Sequence, residues 1–280
     1  MFCAISGSRL DFGVVATDQL PNYAIFSLDP VQCLALYAYD EFGNRHDNIT
    51  DWGLKQFKAH YAAEVASQPP SLQPSPALRE REPEAASSRG KVKASGKTKP
   101  ITKEAIFHYC YAVLHDPIYR EKYALNLKRE FPRIPFFAGF WQWAAWGEAL
   151  MNLHIGYETV APFALTRADV PDAKAQAAGL TPKAMLRADT SAGTITLDSE
   201  TTLVGVPPEA WTYKLGNRSA LEWILDQYKE KKPKDPTIRE KFDTYRIADY
   251  KEKVVDLLMR VTTVSVETVA ITESMKAAKR

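Results

Sequence analysis

The stretch 211–228 constrains the fold of this chain more than any other part of its sequence. Large apolar residues alternate with polar ones from Trp211 to Leu215, which predicts a half-buried strand. Gly216 and Asn217 follow at once, and they predict a tight turn because both residue types tolerate positive φ. The chain is therefore expected to reverse direction at this point.

A capped helix is predicted directly after this turn. Ser219 with Glu222 three residues later forms the capping-box pattern, in which each side chain bonds the other residue's backbone amide. The apolar residues that follow have the i, i+3, i+4, i+7 spacing of a helix with one buried face: Leu221, Ile224, Leu225 and Tyr228. Three independent local signals thus agree on a strand, a turn and a helix that packs against a core.

The composition is that of an ordinary globular protein. Of the 280 residues 45% are hydrophobic and 25% are charged, and the formal net charge is +2. This near balance gives no overall sign of a nucleic-acid binder, although such binding requires only a local basic patch.

No apolar run is long enough to cross a bilayer, and the N-terminus lacks a signal-peptide pattern. Cys3, Cys33 and Cys110 are odd in number and widely spaced, which favours free thiols in a reducing cytoplasm.

A change of composition divides the chain. Residues 64–100 are rich in Pro, Ser, Ala and charge and nearly lack large apolar side chains, so they cannot bury enough surface to offset their ordering entropy. We predict a disordered insertion there, between an N-terminal part (1–63) and a main part (101–275). The lysines between Arg89 and Lys99 fit either a basic arm on DNA phosphates or a solvated linker.

Outside the insertion the patterns predict an α+β fold of mixed helices and short, largely antiparallel strands. Strands are predicted at Phe2–Ile5 and Val31–Tyr39, and a hairpin at Thr194–Leu197 with Thr201–Val206. Helix starts are predicted from capping residues, and the further helices are predicted from apolar spacing. These helices follow Thr50, Thr102 and Asp116-Pro117, or cover Phe140–Leu153 and Tyr250–Val261, the last with Asp249 as its cap.

The chain carries no convincing catalytic motif. A DNA amino-methyltransferase needs a Gly-rich turn for S-adenosylmethionine and an Asn/Asp-Pro-Pro-aromatic loop for the flipped base, and both are missing. Residues 90–98 end in Gly-Lys-Thr, but the first glycine of a phosphate-binding loop is out of register and no strand precedes it. Asp226 with Glu230 and Lys232 echoes a nuclease triad, yet at a helix end. His108 and His115 have no further zinc ligands at suitable spacing.

Clusters of basic residues interleaved with Tyr and Asn are the remaining functional candidates. Arg and Asn can read base edges, whereas Lys and Tyr can contact phosphates. The alternative is that these residues form solvated helix faces. The candidate DNA-binding residues are Arg120, Lys122, Lys128, Arg129, Arg133, Lys214, Asn217, Arg218, Arg239, Lys241, Tyr245 and Arg246.

A tryptophan-rich run between Phe140 and Trp146 also has two interpretations. Large aromatic side chains are usually buried, so the run fits a helix in the core. It would instead be a docking surface if the chain only completed a larger assembly.

Taken together, several collinear stretches resemble the C-terminal specificity domain of type ISP restriction-modification enzymes. The resemblance covers nearly the whole chain outside the insertion. It rests on an ordered set of short motifs: Asn48–Trp52, Thr102–Tyr111, His115-Asp116-Pro117, Tyr119–Tyr123, Pro132–Phe136, Leu153-His154, Pro207–Tyr228, Asp235–Arg239 and Val264–Thr268. Phe2–Gly7 resembles an internal strand of that domain, so residues 1–63 are expected to be a truncated N-terminal part.

The resemblance implies recognition of an asymmetric DNA target for an adenine-N6 methyltransferase and a nuclease on other domains or subunits. Double-stranded DNA and a methyltransferase/helicase-nuclease subunit are then the expected partners. No cofactor or metal is expected in this chain, whereas S-adenosylmethionine, ATP and Mg²⁺ would serve the partner domains. Two alternatives stay open: a docking piece or remnant of a split enzyme that does not read DNA, and a fragment of a divergent DNA methyltransferase.

Overall fold

The computed structural model describes residues 1–5, 11–21, 32–67, 99–230, 234–242 and 245–280. Its strands are β1 (Phe2–Ile5), β2 (Gly13–Ala16), β3 (Gln32–Leu34), β4 (Tyr37–Tyr39), β5 (Arg45–Asp47), β6 (Thr166–Asp169), β7 (Ala184–Asp189), β8 (Thr194–Asp198), β9 (Thr201–Val204), β10 (Lys214–Leu215) and β11 (Arg218–Ser219). Its α-helices are α1 (Asp51–His60), α2 (Ala62–Ser67), α3 (Lys103–His115), α4 (Pro117–Lys122), α5 (Ala124–Leu127), α6 (Phe140–Ile155), α7 (Ala173–Ala177), α8 (Ala220–Gln227), α9 (Pro236–Phe242) and α10 (Lys251–Lys276). All strand pairs are antiparallel, which confirms the predicted α+β class.

The first of two hydrophobic cores is built mainly from helices and aromatic rings. Helices α3 and α6 pack against each other and against the three-stranded sheet β2-β1-β3, with α1 alongside. Tyr109, Phe140 and Trp143 are fully buried there. The two helices approach so closely that a Cβ atom on Gly147 would lie 1.8 Å from the carbonyl oxygen of His108. Only glycine fits at that contact.

The second core is built mainly from aliphatic side chains on a sheet and two helices. The sheet has the order β6-β9-β8-β7, and β8 and β9 form the predicted hairpin. Ile195, Leu197 and Leu203 on these strands are fully buried and pack with Leu221 of α8 and Leu258 of α10. The sheet therefore buries one face against helices, as expected for an α+β domain.

Helix α10 connects the two cores. Its first half contributes Val254, Leu258 and Val261 to the second core, and Met275 near its end belongs to the first. The β10 strand also contacts β2 of the first sheet. The two cores are thus joined along the helix and at the β10 strand.

The predicted helix starts are confirmed where a capping side chain was identified. Thr50, Thr102 and Asp116 each accept a backbone N–H of the following helix, and Pro117 occupies the first turn of α4. Ser219 and Glu222 form both bonds of the capping box at α8. These signals succeed because the bonding partners are only two or three residues apart.

The strand predicted from Trp211 to Leu215 is mostly wrong. Pro208 begins a 3-10 helix that includes Trp211, because proline fixes φ near the helical value and suits a first helical position. Only Lys214–Leu215 remains as a strand. The alternating burial is nevertheless real, since Trp211 and Tyr213 are both buried.

Two further predicted elements have different bounds. The run 31–39 is divided into β3 and β4, because the chain leaves the first sheet to pair with β5, and Asn48 bonds the Ala35 and Leu36 carbonyls between them. The predicted helix from Tyr250 extends to Lys276, and Asp249 lies in a 3-10 helix rather than at the α10 N-cap, which is Tyr250. The extension is rich in Thr, Ser and Val, whose weak helix propensity conceals it.

Residues 64–67, which the sequence assigned to the insertion, belong to a helix. Helix α2 continues to Ser67, and the Glu64 carboxylate accepts the backbone N–H groups of Gly139 and Phe140 at 3.1 and 2.8 Å. Glu64 therefore caps the N-terminus of α6, where a negative charge is favourable. The rest of that segment, residues 68–98, lies outside the described residues, as do its Gly-Lys-Thr sequence and its lysines before Lys99.

Candidate nucleic-acid interface

The turn between β10 and β11 presents three of the candidate residues. Gly216 has a φ of 68°, and the strands pair Lys214 with Ser219 and Leu215 with Arg218. Lys214, Asn217 and Arg218 are exposed. The capping box at Ser219 starts α8 immediately after the turn, so the turn is held by the pairing of β10 with β11 and by the side-chain bonds of the capping box.

An ion pair holds the side chain of Arg218. Its Nη1 atom lies 2.9 Å from Oδ2 of Asp226, which is eight residues later, near the end of α8. The other oxygen of Asp226 lies 3.8 Å from Nζ of Lys229. Asp226, which the sequence associated only with an unconvincing nuclease pattern, is therefore the partner of a candidate DNA-binding residue.

Helices α4 and α5 and the residues after them carry the second group of candidates. Lys122 and Arg129 are exposed, and Lys128 is half-buried. The Asp116 cap that starts α4 is itself paired with Arg280 at 2.5 Å. Arg280 thus anchors the beginning of this segment.

The two groups meet at Asp11. The backbone N–H of Asp11 donates to Oδ1 of Asn217 at 3.1 Å, and its carboxylate lies 3.0 Å from Nζ of Lys128. We define the Asp11 surface as Asp11, Lys128, Asn217 and their exposed neighbours Arg129 and Arg218. No sequence pattern could have identified Asp11, because its contact with Asn217 joins residues 206 positions apart.

Arg120 does not belong to this exposed surface. Its Nε donates to the Leu114 carbonyl at 2.6 Å, and its guanidinium carbon lies 5.5 Å from the centre of the Phe12 ring. Burial lowers the pKa of Arg120, and the charge in turn lowers the pKa of His154. The Arg120 side chain therefore points toward the interior of the protein and not toward the Asp11 surface.

Lys122 and Lys214 are not part of the Asp11 surface, and three further described candidates also lie outside it. Arg133 is 88% exposed and pairs with Glu130 at 3.0 Å. Tyr245 donates to the Tyr228 carbonyl at 3.1 Å, at the far end of α8, and Arg246 beside it is exposed. The last two candidates, Arg239 and Lys241, lie on α9, but their side chains are outside the described part of the structure.

A buried polar network lies where the two cores meet. His154 of α6 bonds through Nδ1 to the Tyr111 hydroxyl at 2.6 Å and through Nε2 to the Thr268 hydroxyl at 2.9 Å. Its ring stacks on Tyr213, with centroids 5.4 Å apart. Burial, reinforced by the Arg120 charge, lowers the pKa of His154 to about 3, so the ring is neutral. Tyr213 directly precedes Lys214, so this network supports the base of the turn.

Comparison with known proteins identifies the family of this chain. The sequence profile of the Type ISP C-terminal specificity domain matches residues 1–257. The chain belongs to this family. The resemblance noted from its short motifs is thereby confirmed. No curated protein matches the chain.

Solved structures agree with the family assignment. A DrdV–DNA complex determined by cryo-electron microscopy is 48% identical, with a TM-score of 0.80, over all of this chain and 25% of that one. A nuclease-deletion mutant of the Type ISP restriction-modification enzyme LlaGI, in complex with a DNA substrate mimic, is 22% identical with a TM-score of 0.62, over 97% of this chain and 20% of that one. ATP-dependent LlaBIII bound to DNA is 19% identical with a TM-score of 0.62, over 99% and 16%. The last two show a shared fold alone.

This specificity domain spans about a quarter of the first of those proteins.

Among its described residues, no group of three or more His, Cys, Asp or Glu side chains could hold a metal ion. His108 and His115 in particular do not form such a group, and His115 is buried, with Nδ1 at 2.9 Å from the Tyr111 carbonyl. No helix in the described ranges has the length and apolar character to cross a membrane.

The tryptophan-rich run is part of the first core. Trp143 is fully buried, and Trp141 and Trp146 are partly buried against the same cluster. The docking alternative for this run therefore loses its central residue. Phe140 is also fully buried, between Tyr61 and Tyr109.

Proposed function

We propose that this specificity domain binds double-stranded DNA through the Asp11 surface and reads an asymmetric target for a restriction-modification enzyme. The observation that carries the proposal is the meeting at Asp11 of two basic segments that are far apart in sequence. Lys128 and Arg129 come from one segment, and Asn217 and Arg218 come from the other. Their combination offers both phosphate-binding and base-reading side chains on one surface.

The solved relatives support DNA as the partner. The 48% identical protein was determined as a DNA complex, and this chain aligns with it along its whole length. LlaGI and LlaBIII were likewise solved with a DNA substrate mimic or DNA. A formal net charge of only +2 means that the attraction to phosphates depends on the local arrangement of the basic residues.

The proposed division of labour leaves catalysis to other parts of the enzyme. This domain would position DNA for an adenine methyltransferase and a nuclease on other domains or subunits. S-adenosylmethionine, ATP and Mg²⁺ would serve those parts. We propose the cytoplasm as the place of action, in keeping with the free thiol of Cys110.

Selection of bound duplexes from a random DNA pool tests this function. The purified chain is incubated with the pool at two salt concentrations, alone and together with the methyltransferase subunit of its system. We expect enrichment of one short asymmetric sequence. We also expect the binding constant to fall as salt rises, with a logarithmic slope of about −0.9 for each phosphate contact.

The double variant Lys128→Ala/Arg129→Ala should reduce binding to all duplexes. Its matched control is Lys183→Ala/Arg187→Ala, which removes two exposed cations, one just before β7 and one on it. Equal binding by the two double variants would place the DNA elsewhere. Failure of the folded wild-type chain to enrich any sequence, with or without its partner, would reject target recognition.

A further inference from the structure

The Arg218 side chain is oriented before any DNA arrives. Its backbone is fixed by the pairing of β11 with β10, and the next residue starts α8 with a capping box. Asp226 then holds its guanidinium from the side at 2.9 Å. Arginine loses less entropy on binding when its planar donor fork is already oriented.

The remaining donors of the Arg218 guanidinium make no hydrogen bond with a described residue. The fork has five N–H donors, and Asp226 contacts it through Nη1 alone. Arg218 is 55% exposed, and its side chain makes no other hydrogen bond in the described ranges. A guanine presents two acceptors, O6 and N7, in the major groove, and bidentate contact from arginine is the commonest specific contact with them.

The other basic residues of the Asp11 surface are not held in this way. Arg129 is exposed and has no ion pair with a described residue, whereas Lys128 is paired with Asp11 through a single rotatable ammonium. A point charge suits a phosphate, which can be approached from many directions, whereas base reading requires a defined geometry. The structure therefore separates one planar donor fork, held by Asp226, from the single ammonium of Lys128 and the exposed Arg129, which has no ion pair with a described residue.

We propose that Arg218 reads the major-groove edge of a guanine in the target and that Asp226 is the positioning residue that orients it. This inference rests on the proposed function, because it assigns one base contact within that surface. Asp226 would not contact the base itself. Its carboxylate would fix the direction of the Arg218 fork and, by its charge, weaken attraction to phosphates at the same place.

Selection from the random pool, repeated with the variants Arg218→Lys and Asp226→Asn, tests both roles. Arg218→Lys keeps the charge but loses the bidentate fork. We expect it to lose preference for guanine at one position by about 5- to 150-fold, the usual range for a bidentate contact. Asp226→Asn should weaken the preference at the same position to a smaller extent. All other positions of the enriched sequence should stay as in the wild type.

The matched controls come from another arginine–carboxylate pair. Arg167 of β6 lies 2.7 Å from Glu252 of α10. Arg167→Lys and Glu252→Gln should leave the enriched sequence unchanged. Thermal melting of all four variants checks that they remain folded, which is expected because the substituted side chains are at least partly exposed.

The outcomes separate this inference from the proposed function. If the wild type enriches no sequence, the proposed function fails. If the wild type enriches a sequence and Arg218→Lys enriches the same one with equal preference, base reading by Arg218 is wrong. If Asp226→Asn increases affinity for every duplex and leaves each preference intact, Asp226 only masks charge, and its positioning role is overturned.

Discussion

The two cores of this molecule carry the two halves of the Asp11 surface in different ways. The first core is a close helix–helix packing of aromatic rings, and the α4–α5 segment with Lys128 and Arg129 projects from it. The second core is a small antiparallel sheet covered by α8 and α10, and the turn with Asn217 and Arg218 stands at its edge. The first presents Lys128 and Arg129 in the turn that follows α5, and the second presents a turn whose arginine is held by Asp226.

This difference suggests a division between affinity and specificity. In the proposed function, Lys128 and Arg129 would supply phosphate contacts, whereas Arg218 would discriminate between bases. The two kinds of contact act together only if the cores keep a fixed relative position. Helix α10, the His154 network and the Asp11 contacts hold that position.

The largest expected effect is on the first core. The substitution Gly147→Ala places a Cβ atom against the His108 carbonyl, so α3 and α6 must separate. We expect a loss of about 3 kcal/mol or more in the free energy of unfolding, the upper range for overpacking. Urea unfolding followed by circular dichroism measures it.

The control is Gly53→Ala in α1, where the nearest atom to a new Cβ would be 3.5 Å away. Alanine should stabilise that helix slightly, because it lowers the entropy of the unfolded chain. Similar unfolding midpoints for the two variants would contradict the close packing of α3 on α6.

The second prediction concerns pH and the junction of the cores. The pKa of His154 is about 3 in the folded state and about 6.5 in the unfolded chain, so the unfolded state binds more protons in acid. The contribution of His154 to the unfolding free energy is fully present above pH 6.5 and is lost progressively as the pH falls toward 3. At pH 5 we expect a loss of about 2 kcal/mol relative to pH 7.5.

The variant His154→Gln should lack this part of the pH dependence, although it is less stable at pH 7.5 because the network is broken. The measurement is the difference between the unfolding free energies at the two pH values, compared between the variant and the wild type. An unchanged difference in His154→Gln would mean that His154 is not the titrating group.

The third prediction compares two helix caps. Ser219→Ala at α8 and Thr50→Ala at α1 each remove a side-chain oxygen that accepts a backbone N–H, at 3.2 and 3.1 Å. Each should cost about 1 kcal/mol of unfolding free energy. Only Ser219→Ala should also lower the preference of the domain for its DNA target, since it loosens the turn. Equal effects on DNA binding would show that the turn does not depend on this cap.

The smallest effect is expected for Arg129→Ala. Removing one exposed cation should leave the unfolding free energy within about 0.5 kcal/mol of the wild type. The slope of the logarithm of the binding constant against the logarithm of salt concentration should become about 0.9 less steep. Arg187→Ala on β7 is the matched control, and a shallower slope there instead would move the phosphate contact to the second core.

Local signals accounted for much of the fold but little of the candidate site. The caps at Thr50, Thr102 and Ser219 and the turn at Gly216 were predictable because their partners are close in sequence. Asp11 was not, since its contacts cross most of the chain. Asp226 was recognised only as part of a nuclease-like pattern, because its pairing with Arg218 depends on the direction in which β11 enters α8.

The sequence by itself determined the family, the α+β class and the capped start of each major helix, because these depend on residue types at short and fixed spacings. The tertiary structure decided which basic residues meet. It turned Arg120 toward the interior, joined Lys128 to Asn217 through Asp11 and placed Asp226 beside Arg218. These choices depend on burial and on contacts between distant segments, since an exposed and an interior arginine look the same in a sequence.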